Sequence, residues 1–232
     1  MKTELLYMKN MEQTECSAKI ISIQKNEIGV TVILDQTVFY PQGGGQPYDT
    51  GVIKTSDGAV VFRVQQVRYI DDAVHHIGIL EQGDISVGME ILCFVDKEKR
   101  ILHSRLHSAG HVIDMALKEL QISWVPGKGY HFPEGSYVEY VADMENISID
   151  TLLSELEQSC NAIISRDIKT TLVFDDTKLQ NGKPMRTVFY GDFCIPCGGT
   201  HVAYLNQIVS IKIRKIKKEK EAIRISYAVG VL

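Results

Sequence analysis

The stretch that decides the fold is DKEKRILHSRLHSAGHVIDMALKEL, residues 96–120. Its apolar positions recur at steps of three and four residues, which is the period of an amphipathic α-helix. The stripe consists of Leu102, Leu106, Ala109, Ile113, Ala116, Leu117 and Leu120. Because no comparable helical stripe precedes residue 96, the change of period predicts two domains, 1–95 and 96–232.

The first domain is predicted to be a small β-barrel. Apolar and other residues alternate from Ile28 to Leu34, and in parts of 60–67 and 91–95. Turn signals such as Asp57-Gly58 lie between these segments. Short strands at this spacing are typical of small barrels.

The second domain is predicted to be α+β. A second helix is expected to begin at an Asp150 cap and to bury one stripe of residues. That stripe is Leu153, Leu156, Cys160, Ile163 and Ile164. Strand-like segments surround the helix, at 137–141, 170–174 and 188–190 and in a terminal hairpin of 208–216 with 222–229. No linker rich in proline or serine separates the domains, so we expect them to pack together.

Composition favours a cytoplasmic globular protein. The sequence is 44% hydrophobic and 23% charged, and its start lacks the apolar core of a signal peptide. Its apolar runs are too short to span a membrane. The five cysteines are an odd number and most lie far apart, unlike the dense, even set of a secreted disulfide scaffold.

Charge is unevenly distributed along the chain. The net charge is −4, but residues 199–232 carry seven basic and two acidic side chains, which leaves −9 on the rest. A basic run of this kind is often only a solvated hairpin. If the protein holds RNA, Lys215, Lys217 and Lys218 are the expected phosphate contacts.

Three histidines on the predicted helix share one face. His103, His107 and His111 follow each other at intervals of four residues, and two histidines at that spacing can reach a single metal ion. The spacing does not distinguish the pair His103/His107 from the pair His107/His111.

A second group of metal ligands lies in CIPCGGTH, residues 194–201. The two glycines allow a tight fold that would direct Cys197 and His201 to one ion. Alternatively, Cys194 and Cys197 form the CxxC pair of a closed structural site. In either case, nitrogen and thiolate donors together predict zinc.

These motifs resemble those of a known family. RLHSAGHVI (105–113) and PCGGTHV (196–202) are similar to the HxxxH and CxxxH motifs of the alanyl-tRNA synthetase editing domain and its free-standing AlaX relatives. FYPQGGGQPYDTG (39–51) resembles the glycine-rich stretch that precedes this editing domain, and 212–227 resembles the family's tail. The match keeps the same order over nearly the whole chain.

The resemblance implies a β-barrel followed by an α/β editing domain like those of alanyl- and threonyl-tRNA synthetases. It implies one zinc ion per chain, held by His107, His111, Cys197 and His201. It also implies hydrolysis of seryl-tRNA(Ala), with glycyl-tRNA(Ala) as a second substrate, and the medium-length AlaX form. The partner would be mischarged tRNA(Ala), with no membrane and no nucleotide cofactor.

The catalytic chemistry stays open in the sequence. No carboxylate stands beside the HxxxH pair as the glutamate does in HExxH, so no general base is evident. Zinc could activate water or orient the substrate, and His103, one turn from His107, is a candidate catalytic residue. The alternative functions are a non-catalytic zinc module that binds RNA and an esterase that acts on small amino-acid esters.

Two further segments are candidate contacts with tRNA. Gly43, Gly44, Gly45 and Gln46 lack the GK[ST] ending of a phosphate-binding loop, so they predict either a tight turn or a close approach to tRNA or the other domain. WVPGKGYH, residues 124–131, is either an ordinary connection or a wall of the amino-acid pocket that includes Lys128.

Overall fold

The computed structural model describes residues 2–26, 29–142, 148–180, 183–219 and 222–230. The predicted strand position Ile28 lies outside these ranges. The N-terminal part contains a short helix, α1 (Leu6–Lys9), and eight strands. The strands are β1 (Glu4–Leu5), β2 (Glu15–Asn26), β3 (Gly29–Leu34), β4 (Gln36–Thr37), β5 (Gly51–Lys54), β6 (Val61–Ile70), β7 (Ala73–Gln82) and β8 (Glu90–Val95).

Six of these strands close into an antiparallel barrel in the order β2-β3-β7-β6-β5-β8, and β8 returns to pair with β2. Side chains alternate across each strand, so that Ile91, Cys93 and Val95 of β8 are buried inside. The remaining two strands, β1 and β4, form a small parallel pair. The predicted barrel is therefore confirmed.

Helix α2 (Lys97–Glu119) forms as the periodicity predicts. Asp96 caps it, because its carboxylate accepts a hydrogen bond from the backbone N–H of Lys99. No helix among the described residues is long and apolar enough to cross a membrane.

The C-terminal part has two helices on a four-stranded antiparallel sheet of order β14-β15-β10-β9, and a separate three-stranded sheet of order β11-β12-β13. Its core joins α2, α3 and the larger sheet in one apolar cluster. The elements after α2 are β9 (Val125–Tyr130), β10 (Tyr137–Val141), α3 (Ile149–Ser165), β11 (Thr170–Gln180), β12 (Lys183–Tyr190), β13 (Phe193–Pro196), β14 (Ile211–Glu219) and β15 (Ala222–Val229).

Three details differ from the sequence prediction. The cap of α3 is Ser148, so Asp150 lies in the first turn, where its charge suits the helix dipole. The fully buried stripe begins at Leu152, and Leu153 is only partly buried. The expected connection at 124–131 is largely strand β9, which pairs with β10.

The barrel and α2 are joined by a buried ion pair. Arg100, in the first turn of α2, donates to both carboxylate oxygens of Asp49 and to the carbonyl oxygens of Met11 and Val38. All three guanidinium nitrogens of Arg100 therefore have protein partners. A buried charge is stable only when it is paired in this way. The helix is thus fixed against the barrel, while the domain boundary at 95/96 stays a prediction.

Candidate metal centre

Four side chains from two segments converge in the C-terminal part. One donor atom from each of His107, His111, Cys197 and His201 lies within 4.8 Å of the other three. Helix α2 stacks His107 and His111 one turn apart, and the segment after β13 supplies Cys197 and His201. Three of the four residues are buried, and Cys197 is partly buried.

The Cys197 sulfur lies close to two of the three histidine nitrogens. It is 3.5 Å from Nε2 of His107 and 3.3 Å from Nε2 of His201. The third ring nitrogen, Nε2 of His111, is buried and has no hydrogen-bond partner among the described residues. A buried polar atom without a partner is costly, which suggests that a ligand satisfies it.

Glycine 199 makes this convergence possible. A Cβ built at Gly199 would overlap the imidazole of His107 and lie 2.9 Å from Oε1 of Gln46. The second glycine of the CGGTH segment is therefore needed for close approach of the loop to helix α2.

Each histidine of the group is oriented through its second ring nitrogen. Nδ1 of His107 lies 2.8 Å from Oε1 of Gln46, and Nδ1 of His201 lies 3.0 Å from the hydroxyl of Tyr190. Nδ1 of His111 lies 3.5 Å from Oδ2 of Asp114. In all three rings Nδ1 has the hydrogen-bond partner, and Nε2 is free to face the centre of the group. This arrangement is usual for histidines that bind metal.

Asp114 supplies a carboxylate that the sequence comparison with HExxH did not identify. It stands three residues after His111, and its other oxygen accepts a 2.6 Å hydrogen bond from the hydroxyl of Tyr140. An i, i+3 spacing on a helix could have indicated it. Because both oxygens are engaged, we interpret its role as orienting His111.

Gln46 links the glycine-rich segment to the group. Besides facing His107, its Oε1 accepts from the backbone N–H of Thr200 at 2.9 Å, and its Nε2 donates to the Thr200 hydroxyl at 2.8 Å. The side chain is fully buried. It is therefore directed inward, to the histidine group, and contact of this segment with tRNA stays a prediction.

The neighbouring glycines bring the same segment close to β9. Gly45 has a φ of 77°, and a Cβ there would overlap the backbone of Gly129. Its carbonyl accepts a 2.8 Å hydrogen bond from the N–H of His131. Gly43 and Gln46 also exchange two backbone hydrogen bonds, so the segment is a tight turn that closely approaches the neighbouring part of the protein.

The pKa values of the four donors are shifted in different directions, and all but that of His111 move toward the form that binds metal. Burial lowers the pKa of His107 and of His201 well below the usual value, so both rings are neutral. Burial alone would raise the pKa of Cys197, but His111 outweighs it and the pKa falls, which favours the thiolate. Burial would likewise lower the pKa of His111, but Asp114 and Cys197 raise it to about 9. Neutral imidazole and thiolate are the forms that bind metal.

Arg186 of β12 contacts the backbone of the segment that carries Cys197. Its buried guanidinium donates to the carbonyl oxygens of Cys197, Gly199 and Met8, and burial lowers its pKa. These bonds hold the loop that carries Cys197, and the positive charge favours a thiolate there.

His107, His111 and Cys197 of the group line a cavity of about 550 Å³. Strand β9 contributes one wall, with Lys128 exposed there, and the glycine-rich segment contributes another through Gly43 and Gly44. Asp114 and His131 also line the cavity. This volume is in the range of small-ligand sites.

Two family models match this chain. The model described as "tRNA synthetases class II (A)" matches residues 2–99, and the model described as "Threonyl and Alanyl tRNA synthetase second additional domain" matches 185–225. The second match contains Cys197 and His201. His107 and His111 lie between the two matches.

Comparisons with individual relatives also align the residues between the two matches. The chain is 30% identical to the alanyl-tRNA editing protein AlaX-L of Pyrococcus horikoshii, over 98% of this chain and 58% of the relative. The chain is thus similar over nearly its whole length to an alanyl-tRNA editing protein of the AlaX type. It is also 32% identical to the alanine–tRNA ligase of Clostridioides difficile over 82% of this chain, and 30% identical to that of Methanobrevibacter smithii over 99%.

The chain spans only part of the length of these relatives. It spans 58% of the length of the P. horikoshii protein and 23% and 27% of the two ligases. The matched barrel and second additional domain are those that the sequence predicted, and the predicted architecture is confirmed.

The structure separates the alternatives that the motif spacings left open. His103 is buried on the helix but does not belong to the donor group, and its Nδ1 has no hydrogen-bond partner among the described residues. Cys194 is exposed on β13 and is also outside the group. The geometry therefore brings His111 and Cys197 together with His107 and His201.

One cavity residue, His131, ends the segment 124–131 that the sequence offered as a pocket wall, but it was not singled out as a site residue. His131 follows β9 and is buried, with its ring stacked on that of His107 at a centroid distance of 4.6 Å. Burial lowers its pKa to about 3, so the ring is neutral. A single histidine without a ligand spacing does not stand out within that segment.

Lys215, Lys217 and Lys218 are exposed on β14, an edge strand of the four-stranded sheet. β9, which lines the cavity, is the opposite edge, so the lysines lie three strands, roughly 14 Å, from the cavity wall. Lys217 also forms a 3.2 Å ion pair with Glu219.

Proposed function

We propose that this chain is a zinc-dependent hydrolase that removes serine, and also glycine, from mischarged tRNA(Ala). The reaction cleaves the ester between the amino acid and a ribose hydroxyl of the terminal adenosine. The observation that carries the proposal is the group of His107, His111, Cys197 and His201, of which all but His201 line a cavity of about 550 Å³. The names of the relatives, an alanyl-tRNA editing protein and alanine–tRNA ligases, support it.

The donor set fits zinc. Tetrahedral nitrogen and sulfur ligands at zinc bond lengths are about 3.5 Å apart, and the sulfur of Cys197 lies 3.5 Å and 3.3 Å from two of the ring nitrogens. The unpartnered Nε2 of His111 supplies the fourth donor. We assign one zinc ion per chain to these residues.

A zinc ion bound here would act as a Lewis acid near the ester carbonyl. The chain itself supplies the rest of the site. The Nδ1 partners Gln46, Asp114 and Tyr190 hold the three imidazoles in place, and Arg186 holds the cysteine loop. Such fixed dipoles need little rearrangement during the reaction.

Contacts with tRNA are proposed at two places. Lys128, Gly43 and Gly44 line the cavity, where they would lie near the reacting end of the substrate, and Gly45 and Gln46 follow directly in the chain. Lys217 pairs with Arg224 across strands β14 and β15, so both side chains lie on the same face of the sheet. Arg224 donates to Glu139 on that face, which is the outer face, away from the core. Lysines there can contact phosphates without reading sequence.

The test is release of free serine from seryl-tRNA(Ala), with alanyl-tRNA(Ala) as the matched substrate. We expect multiple turnovers on the seryl substrate only, loss of turnover by at least about 100-fold after chelation, and recovery when zinc is returned. Binding of tRNA without serine release would identify the chain as a non-catalytic RNA-binding zinc module. Equal turnover of seryl methyl ester would identify an esterase that needs no tRNA.

A further inference from the structure

The metal site does not explain the role of Nε2 of His131, and the partner of the other ring nitrogen, Nδ1, decides what Nε2 can do. Nδ1 of His131 lies 2.6 Å from the hydroxyl of Tyr227, and that hydroxyl donates a 2.9 Å hydrogen bond to the carbonyl oxygen of Leu106. A carbonyl oxygen can only accept, so the one phenolic proton of Tyr227 is used there. The phenolic oxygen must therefore accept from Nδ1–H of His131.

This chain of hydrogen bonds fixes the tautomer. With the proton on Nδ1, Nε2 of His131 carries a lone pair and can only accept. The ring cannot rotate freely, because it stacks on His107 with an interplanar angle of 20°.

Three glycines pack closely against the edge of this ring, and a side chain at any of them would block the approach to it. A Cβ at Gly129 would be 2.6 Å from Nε2, one at Gly110 would be 2.6 Å from Cε1, and one at Gly45 would be 3.2 Å from Cδ2. These glycines come from β9, α2 and the glycine-rich segment. Gly110, Gly129 and His131 all line the cavity that contains the donor group.

An acceptor beside this cavity selects for a donor on the ligand. The reacting ester offers only acceptor oxygens, whereas the α-ammonium group next to it is the strongest donor of an aminoacyl ester. Asp114 adds a carboxylate to the same lining. Of the cavity's cations, Lys128 is exposed and Arg186 is bonded to backbone carbonyl oxygens.

We infer that Nε2 of His131 accepts a hydrogen bond from the α-ammonium group of the aminoacyl substrate. The inference rests on the proposed function and adds a binding determinant to it. It makes His131 a substrate-binding residue that positions the ester, and Tyr227 a positioning residue that acts through His131.

The test measures binding of a non-hydrolysable analogue, serine joined by an amide to 3′-amino-3′-deoxyadenosine, and of its N-acetyl derivative. Zinc-loaded wild type should bind the free amine about 10- to 100-fold more tightly than the N-acetyl form, the range for a hydrogen bond to a charged group. His131→Phe keeps a planar ring on His107 and should bind both analogues equally.

Tyr227→Phe keeps His131 itself but removes the acceptor for Nδ1–H. It should reduce the preference for the free amine, and zinc content should stay unchanged in both variants. If His131→Phe loses zinc, the comparison rests on Tyr227→Phe. A merely structural role would weaken both analogues alike, which is why their ratio decides.

A preference for the free amine that survives in the variants would overturn the inference, as would wild type that does not distinguish the two analogues. So would loss of hydrolysis in His131→Phe with the binding ratio unchanged, because Nε2 would then act on the attacking water. Failure of the proposed function is a separate result: wild type would prefer the free amine yet release no serine from seryl-tRNA(Ala).

Discussion

Oε1 of Gln46 lies 2.8 Å from Nδ1 of His107, across 61 residues of sequence. The glutamine ends the glycine-rich run after the first barrel strands, and the histidine belongs to the donor group on α2. The same oxygen accepts from the N–H of Thr200, beside His201. One side chain therefore connects the barrel to both halves of the proposed zinc site.

This relationship predicts the effect of Gln46→Ala. Loss of a partner that orients a metal ligand costs about 10- to 100-fold in metal affinity, so the zinc dissociation constant should rise by that factor. Competition with a chromophoric chelator measures it. Gln42→Ala, at a residue whose side chain accepts from Arg68 on the surface, is the matched control and should leave the constant unchanged. Equal affinities in the two variants would contradict the role of Gln46.

The choice between the histidine pairs predicts that His111→Ala loses zinc and His103→Ala keeps it. Both residues share a helical face with His107, but only His111 belongs to the donor group. Elemental analysis of the purified variants measures the metal. Similar zinc loss in both variants would show that His111 is wrongly preferred to His103 as the second ligand from the helix. A slower reaction of His103→Ala with zinc retained would support a catalytic role for that residue.

The pKa of His111 predicts proton release on metal binding. Because Asp114 and Cys197 raise it to about 9, the ring is protonated at pH 7.5 in the metal-free protein. Zinc needs the lone pair on Nε2, so about one proton should leave His111 as zinc binds, and zinc affinity should fall as pH falls. Calorimetric titrations in buffers of different ionisation enthalpy measure the number of protons. Zero protons released at pH 7.5, or affinity that rises on acidification, would contradict this account.

Neutralising Lys215, Lys217 and Lys218 should weaken tRNA binding without affecting the zinc site. The slope of log affinity against log salt should become shallower by about 2 to 3, because up to three fewer counterions are released. The Michaelis constant for seryl-tRNA(Ala) should rise, and the rate at saturation should stay near normal. Lys2, Lys19 and Lys25, exposed on the N-terminal part, provide a control triple variant. An unchanged slope would place the tRNA elsewhere.

Local patterns determined much of the fold in advance. The apolar stripe of α2 and the alternation in β8 predict their elements because each depends only on neighbours along the chain. The start of α3 was misjudged because Ser148 and Asp150 are both good capping residues, and only the helix geometry distinguishes them. Strand β9 carries a proline and two glycines, which are poor strand formers, and forms through its pairing with β10.

The site was predictable only in part. The family motifs indicated all four donors, but spacing alone left His103 and Cys194 as alternatives. The partners Gln46 and Tyr190 meet His107 and His201 through tertiary folding, so no local pattern identifies them. His131 is brought to the cavity by close packing against Gly45 and Gly110, a feature of the assembled structure. Contact of Lys128 and the glycines with tRNA stays a prediction.

The central claim is that the donor group of the structure is the hydrolytic site. The most direct test compares Cys197→Ala with Cys194→Ala, which remove the same atoms three residues apart, by the rate of serine release from seryl-tRNA(Ala) with zinc content measured alongside. We expect Cys197→Ala to lose zinc and at least about 100-fold in rate, and Cys194→Ala to stay within about twofold of wild type. Retained zinc and activity in Cys197→Ala, or their loss in Cys194→Ala, would contradict the account.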